Sequence, residues 1–220
     1  MKLRRATLSA DAYDAVRTLL LDGARFRPGD KISIEELSRE LGVSRSPVWS
    51  AIARLEAEGL VEIAPRKGVY LIGFEPEKLC ALFEVREALE GMAASLAARR
   101  MTDAEIDLAA ACVEQQRRAL KTQRVEDYSS ATLAYHNAII EGSRNDIIAR
   151  QLSSIYDQVH AICGGRKAKI GWAGRRLNIE DHAELVAALR KRDSEAAERT
   201  ARSHAQRLAR GVLSDMVTPQ

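Results

Sequence analysis

The side chains best suited to hold an ion in this chain are its four histidines, at positions 136, 160, 182 and 204. A neutral imidazole suits zinc, nickel and related divalent metals, and three imidazoles leave a position open for water or a carboxylate. His136, His182 and His204 fall in three separate helical patterns, so they can converge inside one bundle. Three unrelated structural or surface histidines fit the same spacing. Arg86 and Glu90 break an apolar helical pattern four residues apart, the spacing of an ion pair on one helix face. Cys80, Cys112 and Cys163 are odd in number and share no C-x-x-C spacing, which argues against a disulfide framework or a thiolate zinc knuckle.

A metal-dependent enzyme with a regulatory N-terminal domain is one use for three histidines and an open position. Against it, no acidic pair lies at motif spacing beside any of them, and no G-x-S-x-G, P-loop or H-E-x-x-H occurs. The run Gly164-Gly165-Arg166-Lys167 has the composition of a phosphate loop, but it reads better as a basic joint.

A second set of residues has chemistry suited to nucleic acid. Ser33 can cap a helix with Glu36 at capping-box spacing, and Ile34, Leu37 and Leu41 give that helix one apolar face. Gly42 ends it, and Ser44 can cap a second helix that tolerates Pro47 in its first turn and buries Val48, Ala51, Ile52 and Leu55. This is a helix-turn-helix pattern. The outward face of its second helix carries Arg45, Ser46 and Trp49, the side chains a major groove would meet. Gly59 ends that helix, and strand-like runs at 60–63 and 69–72 flank a basic turn, Ala64-Pro65-Arg66-Lys67-Gly68. Arg66, Lys67 and the bare backbone of Gly68 would make a hairpin wing able to approach phosphates or a minor groove.

The elements that must position these groups are almost all helical. A first helix beginning at Ser9 repeats Tyr13, Val16 and Leu20 on one face and closes at Gly23. The joint Gly73-Phe74-Glu75-Pro76 divides the chain into 1–73 and 74–220, and a linker this short can transmit movement. Beyond it the pattern is helix throughout, at about 77–100, 102–121, 124–142, 144–164, 174–191 and 193–214. The fold expected is mainly α: a winged helix-turn-helix with a small β wing, then an antiparallel helical bundle.

The formal charge of the 220 residues is only +3, so a nucleic-acid surface must be a local patch. Arg4 and Arg5 can touch phosphate from an N-terminal arm, or serve as a solvated end. Neither a signal peptide nor a run of 18 apolar residues occurs, so the expected location is cytoplasmic. The basic C-terminal helix alternates its arginines with Glu195 and Glu198, the pattern of a solvated face and not of a membrane surface.

The run Gly42-Val-Ser-Arg-Ser-Pro-Val-Trp-Ser-Ala-Ile-Ala-Arg-Leu-Glu-Ala-Glu-Gly-Leu-Val61 resembles the winged helix-turn-helix signature of the GntR superfamily of bacterial transcription regulators. Three further stretches, Val85 to Ala98, Leu133 to Asn145, and Asp181-His182 onward to His204, resemble the helical FCD effector domain of one GntR subfamily. The first resemblance implies that Arg45 reads bases or phosphates, that Ser46 contacts the DNA backbone, and that Gly68 sits at the wing tip. Trp49 stands where the family usually has arginine, which implies apolar contact with a thymine methyl or sugar in place of a polar one. The second implies a divalent metal, zinc or nickel, on His136, His182 and His204. Thr132 occupies the position of the usual fourth ligand, an aspartate, and a neutral hydroxyl is a far poorer ligand. Arg86 is then expected to grip a carboxylate effector, with Thr132, Tyr135 and His160 beside it. The resemblance implies a homodimeric DNA-binding regulator, most simply a repressor, that senses a small organic or sugar acid at a palindromic operator.

Overall fold

A computed structural model describes the backbone of residues 4–163 and 172–217. The 164–167 joint lies outside the described residues, as do the side chains of Arg4 and Arg5. The chain divides into two compact units, Met1–Leu79 with Ser154–Lys167, and Cys80–Ser153 with Ala168–Gln220. The first therefore runs past 73 to Leu79 and takes in one distant segment, Ser154–Lys167.

In the first unit α1 spans Arg4–Leu21, starting five residues before Ser9. It packs on α3 (Arg45–Ala57), and α2 (Ile34–Glu40) packs there too. Ser33 caps α2 as its side chain accepts from the Glu36 amide, the capping bond its spacing suggests. Ser44 holds the cap position of α3, but its side chain makes no capping bond. That leaves its hydroxyl exposed at the head of the helix. Val48, Ala51, Ile52 and Leu55 are almost fully buried, as are Val16 and Leu20 of α1 and Leu37 of α2, so one stripe of α3 anchors it and leaves the opposite face in solvent.

The helix ends at Gly59, whose φ of +74° is left-handed and favours glycine. β2 (Val61–Ala64) and β3 (Gly68–Leu71) then pair antiparallel, Ala64 opposite Gly68, one residue out from the expected strand limits. A two-residue strand with no signal of its own, β1 (Lys31–Ile32), pairs with β3 to give a three-stranded sheet of order β1-β3-β2.

The second unit is helical: most of α4 (Pro76–Arg100), α5 (Asp103–Thr122), α6 (Val125–Gly142), the first half of α7 (Asp146–Ile162), α8 (Trp172–Arg190) and α9 (Ser194–Val217). α5 begins with a complete capping box between Thr102 and Glu105. It lies against α6 and α8, and α8 against α9. The core is built of small side chains from α4 (Ala94, Ala97, Ala98) and α9 (Ala197, Ala201) with larger ones from α5, α6 and α8 (Ile106, Tyr135, Ile139, Leu189). Small residues let helices approach closely, and that closeness brings side chains of α6, α8 and α9 together.

Candidate functional site

On α3 the buried stripe decides what faces outward. Ser44, Arg45, Ser46 and Trp49 are exposed, and Trp49 keeps 44% of its surface accessible, against 0% for Val48 beside it. A tryptophan that served the core would be buried, so this one is a surface side chain on the face available to a partner. Arg45 pairs with Glu35 at 3.3 Å, with both side chains largely exposed. Such a pair contributes little and can be exchanged for a phosphate or base. In the wing, Arg66 and Lys67 are exposed and Arg66 takes a left-handed φ of +61°. The turn is closed by the Lys67 amide donating to the Ala64 carbonyl at 3.0 Å, and the Tyr70 hydroxyl donates to the Lys67 carbonyl. Gly68 takes a φ of +128°, a backbone conformation that residues with a side chain rarely adopt.

In the second unit His136 (α6), His182 (α8) and His204 (α9) converge, with one ring nitrogen of each within 4.8 Å of the others. Ring centroids are 5.1 Å apart for His136–His182, 5.8 Å for His136–His204 and 4.8 Å for His182–His204. Hydrogen bonds fix two of the tautomers. The Gln116 amide nitrogen donates to the Ala131 carbonyl, so its oxygen faces His182 Nδ1 at 2.8 Å and must accept from it. Asp181 likewise lies 2.8 Å from His204 Nδ1 and accepts a hydrogen bond from it. Nδ1 therefore carries the hydrogen in both rings, leaving the lone pair on Nε2.

Both Nε2 atoms are buried without a hydrogen-bond partner. Orphaned acceptors of this kind call for an explanation, and a cation is the chemistry that two such lone pairs beside a third imidazole accommodate. Burial lowers the proton affinity of all three rings, taking His204 down to about 4, and the Arg86 charge adds to the effect. The rings are thus kept neutral, the form that ligates metal. An acceptor holding each Nδ1–H is also the arrangement that orients metal-binding histidines.

Other expected residues divide. Arg86 is buried and paired with Glu90 at 2.6 Å, an ion pair whose two charges both act on His182 and His204. Thr132 is half-buried and its hydroxyl donates to the Tyr128 carbonyl one turn back, so the position brings no negative charge. The Tyr135 ring stacks on His182 at 4.1 Å, and its hydroxyl donates to the His182 carbonyl at 3.4 Å. It packs against the triad as a support for His182.

His160 is not part of this group, contrary to expectation. It belongs to the first unit, where its exposed ring lies 2.9 Å from the Leu21 carbonyl. Its position along a helix gave no sign that this half of α7 packs elsewhere. Gln116 and Asp181 are the residues the sequence reading missed. Gln116 interrupts the apolar stripe Ile106, Ala109, Val113, Ala119 of α5, a polar residue at a core position and so a usable signal.

Residues 81–207 match the FCD domain, and residues 8–71 match the family described as bacterial regulatory proteins, gntR family. A regulator of Agrobacterium vitis, described as an uncharacterized HTH-type transcriptional regulator in the TAR-I ttuE-ttuC' intergenic region, is 34% identical over 134 residues, covering 59% of this chain and 77% of its own. The Nta operon transcriptional regulator of Aminobacter aminovorans is 28% identical over 201 residues, 88% of this chain and 92% of its own. Among solved structures, E. coli McbR/YncC shares the fold with a TM-score of 0.81 at 22% identity, over 96% of this chain and 99% of that one.

Proposed function

The chain belongs to the GntR family of bacterial regulatory proteins and carries an FCD domain, and we propose that it is a repressor whose DNA binding responds to a small carboxylate effector. Members of this family are DNA-binding transcriptional regulators and not enzymes, so the metal-dependent enzyme is set aside. The observation that carries the effector reading is the triad, with two buried Nε2 lone pairs that no group among the described residues satisfies.

His136, His182 and His204 would hold a zinc or nickel ion, and the ion would offer an open position to a carboxylate oxygen. Gln116 and Asp181 fix the rings, while Arg86 supplies a positive charge that favours an anionic organic or sugar acid. The operator would be met by Arg45, Ser46 and Trp49 in the major groove, with Ser44 at the helix start and Arg66, Lys67 and Gly68 of the wing along the backbone. In this reading residues 1–73 carry the DNA-binding domain and 74–220 the effector and dimerisation domain. The protein acts as a cytoplasmic homodimer on a palindromic operator. No helix among the described residues is long and apolar enough to cross a membrane.

Calorimetric titration of the chelator-stripped protein with zinc tests the site. One equivalent should bind per chain, and His182→Ala should abolish it. Absence of uptake at saturating zinc and nickel would reduce the triad to a polar wall.

A further inference from the structure

The second half of α7 carries four polar side chains that end on the helices of the winged-helix unit. Ser154 Oγ and Gln158 Nε2 both donate to the carbonyl of Glu58, at 2.8 and 3.0 Å. Glu58 is the C-cap of α3, so these two side chains satisfy a backbone acceptor that a helix end leaves open. His160 Nε2 lies 2.9 Å from the carbonyl of Leu21, the last residue of α1. Asp157 holds Arg17 of α1 by two hydrogen bonds of 2.6 Å, a bidentate pair with its carboxylate mostly shielded.

The junction they meet is itself tied. The Glu58 carboxylate accepts from the Tyr13 hydroxyl at 2.6 Å and from Arg54 at 3.0 Å, and the Arg54 guanidinium lies 3.7 Å from the Tyr13 ring. The next residue, Gly59, passes so close to Gln158 that a Cβ would sit 2.9 Å from its side-chain oxygen. Ser154, Asp157 and Gln158 are spaced i, i+3, i+4, which puts them on one helix face.

Surface ion pairs scattered over a helix would not need this concentration. Two donors converge on one carbonyl at the C-terminal end of the helix whose other end bears Arg45, Ser46 and Trp49. From this geometry we propose that Ser154, Asp157, Gln158 and His160 are positioning residues for the DNA-reading helix, acting through the ends of α3 and α1. The proposal rests on the DNA-binding reading above and adds its regulation. α7 is one helix whose first half, Asp146–Ser153, is counted with the unit that holds the histidine triad. The contacts of Ser154, Asp157, Gln158 and His160 lie within the winged-helix unit itself, so they bear directly on the orientation of α3.

The test uses the full-length chain and a duplex of its own upstream region, at fixed salt and well below the melting temperature. The variants are Ser154→Ala with Gln158→Ala, and Gln158→Glu as a nearly isosteric change that removes the donor while leaving the packing. Affinity for the duplex should fall about fivefold, and hydrogen exchange should speed up at the last turn of α3, while zinc uptake stays as in the wild type. Ser154→Thr, which keeps the hydroxyl, should bind DNA as the wild type does. Variants that melt earlier but bind the duplex with unchanged affinity would show a merely structural brace and overturn the proposal. A wild-type chain that fails to bind the duplex would overturn the functional reading, and the proposal with it.

Discussion

At the scale of single residues, exposure separates the groups that serve a partner from those that serve the fold. Arg45 contributes nothing to the core, so Arg45→Ala should weaken specific DNA binding by about 1–3 kcal/mol with the melting temperature unchanged; a gel-shift titration at fixed salt measures it. Trp49→Arg should change which operator sequence is preferred without a large loss of stability, because the side chain it replaces lies at the surface and outside the core. Selection of binding sites from a random duplex pool would reveal the change. Thr132→Asp would add a charged oxygen ligand one turn before His136 and should tighten zinc binding at least about tenfold by calorimetry. Tyr13 offers a pH test of the α1–α3 junction. Burial, then the hydrogen bond to Glu58, pushes its hydroxyl up to about 12 from 10.0. The native state therefore keeps a proton that the unfolded chain releases, and its contribution to stability is present below pH 10 and lost as pH rises from 10 towards 12. Burial also raises the hydroxyls of Tyr128 and Tyr135, so an ultraviolet titration should show one fewer late tyrosinate in Tyr13→Phe than in the wild type.

At the scale of elements, legibility followed sequence distance. The helix-turn-helix and wing are local: caps, glycines and apolar periods within forty residues determine them, and α2, α3, β2 and β3 stand within a residue or so of their expected limits. The Arg86–Glu90 pair was likewise readable from its i, i+4 spacing. β1 was not, because two residues carry no period and pair only once β3 exists. The triad is intermediate. Its members lie on three helices and no spacing rule connects them, so it was the resemblance to FCD domains, and not periodicity, that selected His136, His182 and His204 over His160. The second half of α7 was illegible. The Arg17–Asp157 pair spans 140 residues, and nothing near Asp157 in the sequence distinguishes it from a solvated acid on an amphipathic helix.

At the scale of the whole molecule, one recognition helix reads only a few base pairs, whereas two related by a two-fold axis read a palindrome. α4 presents Val85 and Met92 to solvent two turns apart, 50% and 42% exposed, an apolar pair that a second copy could cover. Light scattering should give twice the 24.3 kDa chain mass. Val85→Arg with Met92→Arg should yield a folded monomer with much weaker operator affinity if α4 forms that contact. The most direct measurement is a footprint of the full-length protein on the DNA upstream of its own gene. The expected result is protection of two inverted half-sites about one helical turn apart, lost in Arg45→Ala at the same protein concentration and salt. Uniform protection that follows only ionic strength, unaltered by Arg45→Ala, would contradict sequence-specific regulation by this chain.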